Sequence, residues 1–150
     1  MVDVEAEQIV RLAYEIARAQ DVPGWIACFA EDGTFTDFST NKIYKGPDQL
    51  GDIVQIFATA FPDMHRDIYK IYSVGNMVVV QLALKGTHDG PLKLPRGTLP
   101  PTGKKMNAPC ADFFELDERG KIKRFDCYPE ASIILEQLGV IGDFDAHLEH

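Results

Sequence analysis

Asp112 stands in "NAPCADFFEL", with an alanine before it and two phenylalanines after it. A lone carboxylate in so apolar a run costs several kcal/mol unless it is neutralised or paired. Two readings follow. Either Asp112 keeps a proton and does acid/base work in a pocket, or it is the ionised partner of Arg124 or Lys105. Asp37 in "TFTDFSTN" is a second carboxylate at the end of an alternating stretch, where it faces a pocket or bonds the backbone of the turn that follows. His88 continues the alternation of Val78, Val80, Leu82 and Leu84, which carries it to the pocket side at a strand end; a packed, hydrogen-bonded histidine is the alternative. His65 in "FPDMH" is open in the same way. No two histidines stand at ligand spacing with a carboxylate, and Cys28, Cys110 and Cys127 are scattered without a CxxC pair, so no metal is assigned. No glycine loop of the kind that cradles phosphate is present, and no cofactor is expected.

The elements that must position these groups follow from periodicity. Ile9, Leu12, Ala13, Ile16 and Ala17 repeat at helical spacing, with Asp3 as a cap and Tyr14 at the edge of the stripe, a place for a packing tyrosine with a satisfied hydroxyl. "DVPGWIACFAEDG" reads as a short second helix opened by Asp21 and Pro23 and stopped by Gly33. "TFTDF" and "NKIYKG" suggest a small hairpin, and "GPDQLGDIVQIFATAF" a third helix through Leu50, Ile53, Val54 and Phe57. Beyond Pro62 come four long strands, "MHRDIYKIYSV", "NMVVVQLALKGTH", "KKMNAPCADFFEL" and "KIKRFDCY", with turns at Gly75-Asn76 and Glu118-Arg119-Gly120. "PLKLPRGTLPPTG" interrupts them as one proline-rich ordered loop without a regular element, and "ASIILEQLG" closes the chain as a short helix. Helices followed by a meander define an α+β domain whose curved antiparallel sheet closes over the helices and encloses a pocket. Trp25, Phe57, Phe61, Phe114 and Phe125 are its expected core and wall. A tight hairpin about Glu118 and Arg119 sets Cys110 opposite Cys127 and Asp112 opposite Phe125, all four on the pocket face.

Composition limits the partners. The 150 residues are 45% hydrophobic, enough for one core, so residues 1–147 are read as one domain. The closing Leu148, Glu149 and His150 resemble a purification-tag remnant. A formal charge of −8 repels phosphate backbones and anionic lipid, which argues against nucleic acid and membrane partners. No leader-like segment opens the sequence, so it is read as cytoplasmic with free thiols.

With these elements in place, "FPDMH", "GTHDG", "PPTGKK", "DFFELDERGKI" and "LEQLG" stand in the order and spacing of the SnoaL-like polyketide cyclases of the nuclear transport factor 2-like superfamily. The chain resembles them over essentially residues 6–140. The resemblance implies a cone-shaped sheet wrapped around N-terminal helices, a hydrophobic small-molecule ligand, a homodimer that covers the outer sheet face, and ring closure of a polyketide-like substrate by intramolecular aldol chemistry. Other members imply double-bond isomerisation, epoxide hydrolysis, dehydration or ligand binding without chemistry. "PLKLPRGTL" is a few residues longer than the family loop and is expected to reshape the pocket mouth.

The family's last strand carries a Trp-Asp pair whose aspartate is the acid/base. Here the segment is "GKIKRFDCYPE". Counting from Ile122 puts Cys127 at the acid/base position, whereas counting from Asp112 puts Asp126 there. Strand side chains alternate, so only one of the two enters the pocket. The chain is also similar to the ketosteroid isomerases of the same superfamily. That similarity implies Asp37 as general base, with Tyr14 and a protonated Asp112 as hydrogen-bond donors to the enolate oxygen.

Overall fold

The structure, a computed structural model, describes residues 3–142 and 144–149. The cap expected of the Asp3 side chain and the placement of His150 lie outside the described residues and side chains. Helix α1 (Asp3–Arg18) is followed by α2 (Val22–Ala27), β1 (Phe29–Asp37), β2 (Lys42–Lys45) and α3 (Pro47–Ala60). Then come β3 (His65–Val74), β4 (Met77–Thr87), β5 (Leu92–Leu94), β6 (Gly97–Leu99), β7 (Lys105–Leu116), β8 (Ile122–Pro129), α4 (Ala131–Gln137) and a final 3-10 turn, Phe144–His147. No helix among the described residues is long and apolar enough to cross a membrane.

Six strands form one curved sheet in the order β2-β1-β8-β7-β4-β3, and β5 and β6 pair separately. The sheet is not antiparallel throughout. β1 runs parallel to β8, with Phe35 beside Phe125 and Asp37 beside Cys127. Local pattern cannot announce such a pair, because its two strands lie at opposite ends of the chain. Its consequence is that β1 bridges the meander to β2 and α3.

α1 packs through Ala6, Val10, Ala13 and Tyr14, all buried, while Leu12 is 59% exposed. The apolar stripe is therefore rotated from the expected one, since three small or branched side chains let the helix lie closer to the sheet than leucine would. In α2, Asp21 caps the Gly24 N–H at 3.0 Å, as the Asp-x-Pro opening suggests. Gly33 does not stop that helix. It sits inside β1 where the pairing with β8 shifts register, and a Cβ there would lie 2.5 Å from the Ile122 carbonyl oxygen. The proline-rich stretch is also more regular than expected, because Pro95 and Arg96 form the turn of the β5–β6 hairpin and Gly97 follows at φ 149°.

"GTHDG" and "PPTGKK" interlock. The His88 N–H donates to the Lys104 carbonyl at 2.9 Å, and the Gly103 N–H donates to the His88 carbonyl at 2.8 Å. Gly90 lies against the end of α3, where a Cβ would meet the Thr59 carbonyl oxygen. Two signature segments thus tie the base of β4 to the start of β7 and to α3.

The outer sheet face keeps Phe38, Phe113 and Tyr128 partly exposed, with Phe38 stacked on Tyr128 at 4.3 Å. The inner face joins Trp25, Phe35, Phe114 and Phe125 in edge-to-face and tilted contacts, of which Phe114–Phe125 is the shortest at 4.0 Å between centroids. Because Gly33 has no room for a methyl group, Gly33→Ala is expected to destabilise the fold by about 1–3 kcal/mol, the usual cost of overpacking. Urea unfolding of the two proteins checks this.

Candidate active-site cavity

Side-chain parity along β8 decides which residues reach the interior. Phe125 and Cys127 point inward, whereas Asp126 lies on the other face beside Phe113 and forms an ion pair with Arg124 at 3.2 Å. Asp126 is therefore removed from the cavity, because its outward position follows from that of the buried Phe125. The β7–β8 register also differs from the expected one. Asp112 stands opposite Cys127, Phe114 opposite Phe125 and Cys110 opposite Pro129. The connection is longer than a two-residue turn. Asp117 Oδ1 accepts from the Arg119 and Lys121 N–H groups, both at 2.9 Å, and the register shifts again between Glu115 and Leu116. The net slip is even, so the face expected for Cys110, Asp112, Phe125 and Cys127 is kept while their partners change.

Asp37, Cys127 and Asp112 therefore form one row across β1, β8 and β7. Beneath the row lies a cavity of about 220 Å³, walled by side chains of α2, α3, β1, β8, α4 and the β5–β6 hairpin. Of the expected wall residues, Trp25, Phe57, Phe61, Phe125 and Cys127 line it. Phe114 and Cys110 do not, being sealed in the layer behind.

Asp37 is buried and is the only carboxylate among the described residues that line the cavity. Its Oδ1 accepts from the Ser39 N–H at 2.9 Å and the Ser39 hydroxyl at 2.5 Å. No hydrogen bond from the described residues engages Oδ2. The turn that could have absorbed this carboxylate takes one oxygen and leaves the other. Arg66 also lines the cavity and lies over the Tyr14 ring, 5.1 Å from its centroid. The Trp25 indole N–H is buried without a partner among the described residues.

Tyr14 and Asp112 meet, but not around a shared ligand position. The phenol donates to Asp112 Oδ2 at 2.7 Å, and neither residue lines the cavity. Burial raises Asp112 above the usual carboxylate range, opposed by the Tyr14 hydrogen bond and the Arg66 charge. Burial and then the Asp112 charge hold the Tyr14 phenol well above its ordinary value. The Cys110 thiol donates to Asp112 Oδ1 at 3.3 Å, and the Cys110 and Cys127 sulfurs are 3.7 Å apart. Their hydrogen bond and burial hold the Cys127 thiol well above its usual range. Neither Arg124 nor Lys105 pairs with Asp112 among the described salt bridges.

His88 is fully buried away from the cavity, 5.3 Å from the Phe61 ring. Its Nδ1 accepts from the Thr102 N–H at 3.2 Å and lies 3.0 Å from the Thr102 hydroxyl. That acceptor role requires a neutral ring with the proton on Nε2, so His88 holds the "GTHDG"–"PPTGKK" junction together. His65 sits near the surface, its Nδ1 3.0 Å from the Asp63 carbonyl. Local sequence pattern does not single out Ser39, Arg66 or Tyr44 as site residues, and all three line the cavity. Ser39 carries a legible signal, an Asp-x-Ser spacing that favours a side-chain-capped turn.

A curved sheet wrapped over N-terminal helices around a small apolar cavity is the ketosteroid isomerase-like fold. Residues 10–125 match the model of the SnoaL-like domain, and the chain belongs to that family. Solved structures agree on the fold. A protein from Jannaschia sp. CCS1 named as a SnoaL-like polyketide cyclase is 20% identical, with 94% of this chain and 96% of that one covered at a TM-score of 0.79. A protein of ketosteroid isomerase-like fold from Catenulispora acidiphila DSM 44928 is also 20% identical, with 89% and 93% covered at 0.74. The epoxide hydrolase/cyclase-like enzyme SalBIII, named for pyran ring formation in the polyether salinomycin, is 18% identical, with 85% and 92% covered at 0.70. No curated protein matches the sequence.

Because the folded state binds the Asp112 proton more tightly than the unfolded chain does, this group contributes stability at low pH. The contribution fades as pH rises from about 3.9, the unfolded value, towards the raised folded value. Asp112→Asn should remove that component. The stability difference between wild type and variant, read by urea unfolding at several pH values, is expected to shrink or reverse with rising pH. Tyr14→Phe strips the carboxylate of a buried donor and should cost about 1–3 kcal/mol at neutral pH by the same measurement.

Proposed function

We propose that the protein is an acid/base enzyme for an apolar, carbonyl-containing small molecule, with Asp37 as the general base and intramolecular aldol ring closure as the reaction. The observation that carries this reading is the Asp37 carboxylate, alone of its kind on the cavity wall among the described residues, fixed through one oxygen by Ser39 and without a described donor at the other. In the reaction, Oδ2 takes a proton from the carbon next to a carbonyl, and the C–H electrons become the carbon–carbon double bond of an enolate. The enolate carbon attacks a second carbonyl of the same molecule, forming a carbon–carbon bond while the attacked C=O becomes an alkoxide. The proton on Asp37 then passes to that alkoxide. Apolar walls favour the step by keeping water from competing for the base.

Negative charge moves from Asp37 to the enolate oxygen, so donors there lower the barrier. The Arg66 guanidinium, on the cavity wall, supplies that stabilisation. The alternative isomerase reading needs a phenol and a neutral carboxylic acid aimed at the substrate. Tyr14 and Asp112 bond one another outside the cavity lining, which favours the cyclase-like reading. At about 220 Å³ the cavity is smaller than the roughly 300–1,000 Å³ usual for ligand pockets. A compact dicarbonyl compound, or one end of a larger chain, is the fitting substrate.

Incorporation of solvent deuterium next to the carbonyl of apolar dicarbonyl compounds, followed by nuclear magnetic resonance, tests the base. Asp37→Asn is expected to lower exchange by about 10²–10⁴-fold, the usual contribution of a positioned base, while binding is kept. Ser39→Ala should give a smaller loss, and Asp126→Asn none. Wild-type exchange in Asp37→Asn ends the proposal, and loss in Asp126→Asn alone moves the base to the outer face of β8.

A further inference from the structure

The proposed chemistry leaves unused a cluster in the layer behind the cavity. Cys110 and Asp112, two positions apart, project from the same face of β7, and Cys127 lies directly opposite Asp112 on β8. One ligand atom from each of the three falls within 4.8 Å of the others. Scattered in sequence, two thiols and a carboxylate meet because one strand presents alternate residues and its neighbour presents the third.

The distances resemble those of a coordination sphere. Two thiolates at about 2.3 Å from a tetrahedral zinc ion stand about 3.8 Å apart, and a thiolate and a carboxylate oxygen about 3.5 Å apart. Here the sulfurs are 3.7 Å apart and Cys110 Sγ is 3.3 Å from Asp112 Oδ1. Oδ2 is held by the Tyr14 hydroxyl, the outer hydrogen bond that orients a ligating carboxylate. Cys127 also borders the cavity, so an ion has an entry path and a water or ligand a route to its remaining coordination position.

We infer that Cys110, Cys127 and Asp112 form a binding site for a thiophilic divalent cation of the zinc and cadmium class. Two thiols and a carboxylate share one enclosed space, and a divalent cation is the species that makes the ionisation of such groups favourable. The third cysteine, Cys28, lies apart, its thiol donating to the Gly24 carbonyl at 3.3 Å, and serves as the internal control.

Reduced, metal-free protein titrated with cadmium chloride should bind one ion per chain and develop the ultraviolet thiolate-to-metal charge-transfer band. Equilibrium dialysis with zinc chloride should give the same stoichiometry. Cys110→Ser and Cys127→Ser should each lose the cadmium band, Asp112→Asn should keep it while weakening zinc binding at least tenfold, and Cys28→Ser should change nothing. Absence of the band in wild type, its persistence in the Cys110→Ser/Cys127→Ser double variant, or unchanged zinc affinity in Asp112→Asn overturns the three-ligand site. Should a serine variant fail to fold, alkylation of wild type decides the matter. Zinc is expected to protect Cys110 and Cys127 but not Cys28, and labelling of Cys127 that is indifferent to zinc refutes the inference. These measurements read metal binding and not turnover, so their outcome is independent of the Asp37 experiments.

Discussion

β8 hydrogen-bonds to β1 in one direction and to β7 in the other, and its register against the two strands governs everything placed on the inner face. With Cys127 beside Asp37 on one side and Asp112 on the other, the strands set these groups in a row at spacings of about 4.7–4.9 Å. A slip of one residue in β8 would exchange Phe125 and Cys127 for Arg124 and Asp126. It would bury an ion pair in the aromatic layer and expose the core, costing several kcal/mol on either count. The aromatic contacts of Phe125 with Trp25, Phe35 and Phe114 thus protect the register, and through it the identity of the groups that face the cavity.

Two carboxylates on that row have opposite circumstances. Asp37 borders the cavity with one oxygen held by the Ser39 turn and the other without a donor among the described residues. Asp112 is sealed behind it, with Tyr14 on one oxygen and a thiol on the other. One is placed to meet a ligand and the other is absorbed into a buried polar cluster. The separation comes from depth: β1 lines the cavity, while the row at β7 is covered by α1 through Tyr14.

Much of this architecture is legible in the amino-acid sequence because it rests on local periodicity. The helical stretches, the long strands, the Gly75-Asn76 turn and the shared face of Cys110, Asp112 and Phe125 all follow from spacing alone. "GTHDG" and "PPTGKK" are informative as a pair because they bond each other, which also explains why His88 is a structural residue and not a pocket group. What escapes local reading is set by distant or irregular features. The Asp117-centred loop changes the hairpin register by an even number, preserving faces but not partners. The Tyr14–Asp112 bond joins residues 98 positions apart, beyond the reach of any local spacing. Parity alone left Asp126 and Cys127 open, and the burial of Phe125 resolves them.

The parallel pairing of β1 with β8 also has a consequence in time. Most of the sheet is built from neighbours in sequence, β3 with β4 and β7 with β8, whose pairing closes short loops. β1 has β2 beside it early, but its other neighbour comes from the far end of the chain, and pairings of such long range are slow because their loop entropy is lost before contacts compensate it. During synthesis on the ribosome the segment bearing Asp37 emerges early and can pair with β2, but its neighbour on the other side is missing until β8 has been made. Asp37 is therefore among the first of the cavity groups translated and among the last to be fully enclosed. Folding order itself keeps this carboxylate from acquiring its water-poor setting before the enclosing walls exist.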